Sequence, residues 1–547
     1  MASIDKVDNV AKASIAKIND VPVANIEAIN QTPWTALPQP FVMEIDSTNL
    51  TAQTMTLGLQ SSGSYNFDVD WGDGSPVTTI TVYNSPDATH VYSASQKYTI
   101  TLQPNTPTGL VEYAFGISPN NEHDAYTEII SWGDMNISLG TTNIFYDCSN
   151  LNWNTATAGI PKFKSRVIIT NSLFRDCDAL TADLSGWGTA SDPISGNFQE
   201  IFFLSKPPSS PNLNFVANNI TSLSSAFSAC DYNAPLNNWD TSACVTFASC
   251  FNNNQVFNQP LDAWDVSGVT SSNGMSSMFQ NARAFNQNID NWTISPNATD
   301  FTGIFSTCSS FNQPLNSWNV SNVTRLSNAF LSCSVFNQDL NNWDVSNVTL
   351  FSQTFYNCSQ FNGNVSTWNT ANGNTMYRMF RNCSSFSGNL DSWNVGNVTQ
   401  FRDMFWGASS FRGALSAWNT SSATSMREMF VNCPNDILDA RNWNVQNVTD
   451  FYRTFFNGSI GFDLLLWKVY SATNMTQFAT TGAGSFTDQQ CEDAFVAWSN
   501  DPLTATNVNA TNIWGSRTYP IGGAMQTATI KLTGATYNWT VTGLTFV

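Results

Sequence analysis

Tryptophan recurs in this chain at an almost constant interval. Trp239, Trp264, Trp292, Trp318, Trp343, Trp368, Trp393, Trp418, Trp443 and Trp467 are separated by 25, 28, 26, 25, 25, 25, 25, 25 and 24 residues. A unit of this length cannot bury its own apolar edge, so it must stack on its neighbours to share a core. Other slots lock to the same period. Phe stands thirteen residues before the Trp (Phe305, Phe330, Phe355, Phe380, Phe405, Phe430) and again seven before it (Phe285, Phe311, Phe336, Phe361, Phe386, Phe411). Ten before is Cys (Cys308, Cys333, Cys358, Cys383, Cys433), replaced by Ala282 and Ala408, and three before is an aliphatic residue such as Leu315 or Leu340.

Within one unit, Val323, Leu326, Phe330 and Cys333 recur at helical spacing, which predicts a short helix. The Asn- and Asp-punctuated stretch from Phe336 through Leu340 to Val345 is too short for a second helix and predicts a strand between turns. The expected fold class is therefore α/β: a leucine-rich-repeat-like solenoid with one short strand and one short helix per rung, over residues 128–475. Weaker rungs extend it upstream, with Phe174, Cys177, Leu180, Leu184 and Trp187 in the same offsets and Trp132, Phe145, Cys148 and Leu151 as an earlier, shortened version. About 13 rungs at roughly 4.8 Å each predict a rod on the order of 60 Å long. The rung ending at Trp443 carries Asp436 and Ala440 where Phe and Leu belong, and local distortion is expected there.

Three flanks complete the organisation. Residues 40–118 alternate apolar and polar positions, as in Tyr98–Leu102, and predict a small all-β sandwich. Residues 1–35 carry an 11-residue repeat with Ile4, Ile15 and Ile26 in register; an apolar ladder with no core of its own is expected to dock on a partner. Residues 476–547 break the period, contain an amphipathic pattern over 486–498, and are expected to cap the last apolar edge. The opening residues lack the charged and apolar regions of a signal peptide, and no apolar run reaches the length of a membrane span.

Chemistry is sparse. Lys and Arg total 21 against 40 Asp and Glu, a net charge of −19, which argues against nucleic acid as a partner. His90 and His123 are the only histidines, so multi-histidine metal sites are excluded. No nucleophile elbow, phosphate loop, dinucleotide fingerprint or zinc signature occurs, and neither catalytic residues, metal nor cofactor is expected. Asp68, Asp70 and Asp73 could be read as calcium ligands, but turn capping is the favoured reading. Most of the eleven cysteines occupy the repeat slot and read as core packing; Cys244 and Cys250 lie outside it and could form a bridge. Asn322, Asn347, Asn397 and Asn447 are expected to form a buried ladder. The polar pairs before each Trp (Asn316 and Ser317, Asn341 and Asn342, Ser366 and Thr367, Asp391 and Ser392) are the candidate binding face, on an exposed strand.

Ile129–Asp134, Phe145–Leu151 and Phe311–Thr324 resemble BspA-type leucine-rich repeats in their Trp- and Asn-rich form, over roughly residues 128–547. That family is associated with adhesion, mainly on bacterial surfaces and also in viruses, and the resemblance implies no catalytic residues. Asp68–Ser75, followed by Thr89–Tyr92 and Lys97–Ile100, is similar to the Ig-like domain of the polycystic-kidney-disease type, usually a spacer or binding accessory. The Ile-x-Lys-Ile-Asn arm resembles those of phage virion proteins. The resulting expectation is a non-enzymatic virion surface protein, a phage decoration or fibre component. Its arm would dock on other virion proteins or its own copies, and its solenoid would bind a host glycan or protein. The alternative is a bacterial cell-surface adhesin.

Overall fold

The computed structural model describes residues 38–59, 65–105, 123–133, 145–159, 171–188, 190, 193–433, 439–458, 461–479 and 486–547, with the backbone alone of 17–18, 21–22, 136–137, 162–163 and 168–169. Ile4, Ile15 and Ile26 lie outside these. Within the arm, Lys17–Ile18 pairs antiparallel with Val21–Pro22.

The N-terminal region is a β-sheet. Phe41–Asp46 buries Phe41, Met43 and Ile45 and turns the intervening residues outward, the period-two signature of a half-buried strand. The sheet has six strands in the order 152–153, 126–131, 41–46, 97–104, 67–70, 78–80. Thr54–Thr56 and Thr89–Val91 form a separate two-stranded ladder. Pairing is antiparallel up to Tyr126–Ser131, but Asn152–Trp153 joins that strand in parallel. The sheet therefore runs past residue 118 into the first rung, where Trp132 packs on both Phe41 and Trp153.

The repeats that follow are aromatic-rich and stacked, yet the secondary structure expected of them does not form. Between Leu223 and Ala479 the described residues contain no helix and no strand longer than a single bridge. The bridges are parallel and run from Asp300 through Arg325, Leu350, Thr375, Gln400, Ser425 and Asp450 to Asn474 and Asn509. They fall just after the Val-Thr pair, not in the segment after Phe336.

The predicted helix is a ladder of turns. Leu326, Asn328, Phe330 and Ser332 donate their N–H groups to Leu350, Ser352, Thr354 and Tyr356 of the next rung, while Ala329, Leu331 and Cys333 close i→i−3 turns onto Leu326, Asn328 and Phe330. Asn328 and Ser332 have φ of 58° and 57°, which breaks any right-handed helix. The same two slots are left-handed in every regular rung, and the second is Asn or Gly (Asn281, Asn357, Asn382, Gly407, Asn432, Asn457) except at Thr307 and Ser332. Asn and Gly tolerate that conformation best.

Each repeat slot has its own inter-rung column. Phe145, Phe174, Phe202, Phe227 and Phe251 begin a stack of phenyl rings that continues unbroken to Phe455, with centroids 5.1–5.7 Å apart. Trp343 stacks on Trp368 and donates its indole N–H to the Leu315 carbonyl of the preceding rung at 2.8 Å. Trp318, Trp368, Trp393, Trp418 and Trp443 repeat that bond at 2.8–3.0 Å, so the buried ring carries no unpaired donor. The cysteine thiols do likewise: Cys333, Cys358 and Cys383 each donate to a Phe carbonyl one rung back at 2.8 Å. All eleven cysteines are free and buried, Cys244 and Cys250 included. Burial pushes the Cys244 thiol up to about 12.

Asp436 lies outside the described residues; Ala440 fills the aliphatic slot fully buried, and Trp443 keeps its place on Trp418. After Met475 the stack continues with longer rungs. Asn509–Ala510 pairs parallel with Thr540–Val541, and Trp498 donates to the Trp467 carbonyl at 3.1 Å. Here helices do form. Asp488–Asn500 opens with a Thr487–Gln490 capping box and buries Cys491, Ala494, Phe495 and Trp498 on one face; Ala524–Thr533 follows it.

Candidate functional site

The candidate face consists of turns rather than a strand, because each polar pair sits in the tight turn ahead of its Trp. The first member of each pair is half-buried and the second exposed. Much of their hydrogen-bonding capacity joins neighbouring rungs. Asn316 Oδ1 accepts from the Asn342 N–H at 3.0 Å, and Asp391 Oδ1 from the Ala417 N–H at 2.8 Å. Ser317 Oγ donates to Asp290 at 2.9 Å, Ser392 Oγ to the Ser366 carbonyl at 2.6 Å, and Thr367 Oγ1 to the Asn341 carbonyl. The edge is thus a continuous polar ladder whose outer rail is Ser317, Asn342, Thr367 and Ser392. A depression of about 800 Å³ opens on it beside Asp262, Asp290, Asn291 and Ser317, where the spacing between Trp264 and Trp292 stretches to 28 residues.

The second asparagine ladder is exposed rather than buried. Asn347, Asn397 and Asn447 donate to the carbonyls of Ser321, Ala371 and Ser421 one rung back at 2.7–2.8 Å. These amides tie turns together from outside the apolar columns.

In the sheet, the three aspartates act separately, Asp70 and Asp73 as turn caps and Asp68 as an acceptor for side chains on or beside neighbouring strands. Asp68 accepts from Thr79 and Asn105, Asp70 from the Gly72 N–H, and Asp73 from the Ser75 N–H and His90 Nε2. Among the described residues no cluster of His, Cys, Asp or Glu could hold a metal ion. Burial raises the Asp73 carboxyl, but hydrogen bonds from Ser75 and His90 outweigh it and bring the group down to about 2. Gly72 makes the turn at φ +79°, where a Cβ would meet the Thr99 carbonyl oxygen at 2.2 Å.

One surface feature escaped the repeat-based reading. The outward slots of the turn ladder hold small residues in the rungs just before (Ser276 and Ser277, Thr302 and Gly303, Ser327 and Asn328), although further upstream Arg175 lies over Tyr146 and Phe203. From Tyr356 to Phe456 they hold Tyr377, Arg378, Arg381, Arg402, Asp403, Trp406, Arg427, Tyr452 and Arg453 instead. The guanidinium of Arg381 lies 4.0 Å from the Trp406 ring, and those of Arg427 and Arg453 lie 4.1 and 5.0 Å from Tyr452. Asp403, fully buried, holds Arg378 at 2.8 Å and Arg381 at 3.0 Å. The signal was present in the slots that vary, whereas the period directs attention to those that do not.

Comparison with known proteins adds one finding. A family profile described as Mycoplasma protein of unknown function, DUF285, matches residues 196–305, 296–393 and 374–492. These repeats are related to the BspA-like leucine-rich repeats. No curated protein and no solved structure matches the chain.

Proposed function

The chain belongs to the DUF285 family, and from that premise we propose that it is a non-enzymatic binding protein displayed on a bacterial cell surface, in the manner of a BspA-like adhesin. The stack is read as a leucine-rich-repeat-like solenoid in which turn ladders replace the helices, and the N-terminal sheet as an Ig-like spacer. The observation that carries the reading is the long polar edge whose outer rail is Ser317, Asn342, Thr367 and Ser392, with Asp290 and Asp391 among its acceptors. It repeats one chemistry along many rungs, which suits a broad, multipoint contact with a host glycan or protein. The virion alternative has its support in the arm of Ile4, Ile15 and Ile26, outside the described residues, whereas the family match is to a bacterial family and favours the cell surface. No described helix is long and apolar enough to cross a membrane; attachment through residues 1–35 to an envelope component is part of the same proposal.

Labelling of intact source cells with antibody against residues 316–392 tests this. Labelling without permeabilisation is expected. Labelling only after permeabilisation, or signal that sediments with virus particles instead of cells, would overturn it.

A further inference from the structure

We propose that the arginine-aromatic strip on the turn-ladder face, from Tyr356 to Phe456, is a docking surface for an acidic protein segment. The inference rests on the reading of the chain as a displayed binding protein, and it adds a second face with a different partner chemistry. The chain carries 40 acidic and 21 basic side chains, yet this strip reverses the balance. Five guanidiniums, Arg378, Arg381, Arg402, Arg427 and Arg453, face three carboxylates, Asp403, Glu428 and Asp450. The carboxylates do not neutralise them evenly. Asp403 lies 3.8 Å from Arg402 and Asp450 3.5 Å from Arg427, while Arg453 bonds the neutral Gln477 side chain at 2.6 Å. Glu428 lies 3.6 Å from Arg427.

Stacking on Tyr377, Trp406, Tyr452 and Phe456 holds these guanidiniums in place. A pre-ordered guanidinium presents its N–H fork for a two-point bond to a carboxylate and loses little freedom when it binds. Arg, Tyr and Trp are also the residues that concentrate at the energetic centres of protein interfaces. Nucleic acid would meet the repulsion of a −19 chain beyond the strip. Clustered carboxylates on a polypeptide fit the charge of the patch.

The full chain is passed over immobilised poly-L-glutamate, with heparin as the comparison surface. Salt-sensitive binding to poly-L-glutamate is expected. Arg402→Glu with Arg453→Glu should lower that affinity about tenfold or more. The equal charge change Arg412→Glu with Arg441→Glu, away from the strip, should alter it less than about twofold. Should the first pair fail to fold, Arg453→Gln alone, at an unchanged thermal midpoint, should still lower the affinity. Equal loss in both double variants, no binding by the parent chain, or tighter binding of heparin through the same arginines would overturn the proposal. Surface labelling of intact cells is independent of all these outcomes and would remain as evidence on the proposed function.

Discussion

The N-terminal sheet and the stacked rungs bury their backbones by opposite routes. In the sheet, the three central pairings run along four to six residues, and the ion pair Lys97–Glu44 at 2.7 Å ties its two middle strands together. In the rungs, pairing is one residue long, and the rest of the backbone alternates between a bond to the next rung and a turn within its own. The sheet needs little from side chains to set its register, because the ladder itself is long. The rungs depend on side chains to do so: stacked Phe and Trp, indole and thiol donors, and exterior amides. Cohesion is moved from the backbone into columns, and each column is only as sound as its occupants.

Removing a column member should therefore have the largest effect. Trp343 is 2% exposed, stacks on Trp368 and satisfies the Leu315 carbonyl. Trp343→Ala is expected to destabilise by about 3–5 kcal/mol in denaturant unfolding. An unchanged midpoint would break the column account. A smaller loss is expected from Cys358→Ala, which deletes one thiol donor to Phe330 but leaves a residue that Ala408 already shows to fit. About 1 kcal/mol is expected, and rung-to-rung disulfides detected by mass spectrometry would contradict the packing. The third prediction concerns acid. Asp73 sits near 2 in the fold against 3.8 in the open chain. Its contribution is present above 3.8 and lost as pH falls through the folded value. Hydrogen exchange between pH 5 and 2 should show the loop of residues 71–75 opening before the amides of rungs 319–433. Equal protection in both would remove the distinction.

The period, the buried slots and the stacking direction were legible in the sequence because apolar residues must recur wherever a column runs. Leu326, Phe330 and Cys333 are buried as expected. Their conformation was misread, since consecutive turns with a left-handed residue every fourth position bury the same spacing as a helix. The cue was Asn or Gly immediately before the Cys slot (Asn357, Asn382, Gly407, Asn432), a residue that helices disfavour and left-handed turns select. The polar pairs of the candidate face lie in turns and not on a strand, and their bonding to neighbouring rungs needed coordinates to see. The arginine strip occupies slots of the period whose residue type changes from rung to rung, so a reading built on invariant positions passed over it.

The central claim is that each rung is a ladder of turns, and Asn357 tests it most directly. Its φ is 61°, and two variants separate the possibilities. Both variants lose the Asn382 amide's bond to Asn357 Oδ1, so the difference between them reads the backbone: in a turn ladder Asn357→Gly should be more stable than Asn357→Ala by about 1 kcal/mol. In a helix the order reverses, because Ala is the strongest helix former and Gly among the weakest. Equilibrium unfolding of both variants decides the matter: Gly above Ala is predicted, and Ala above Gly would contradict the turn ladder.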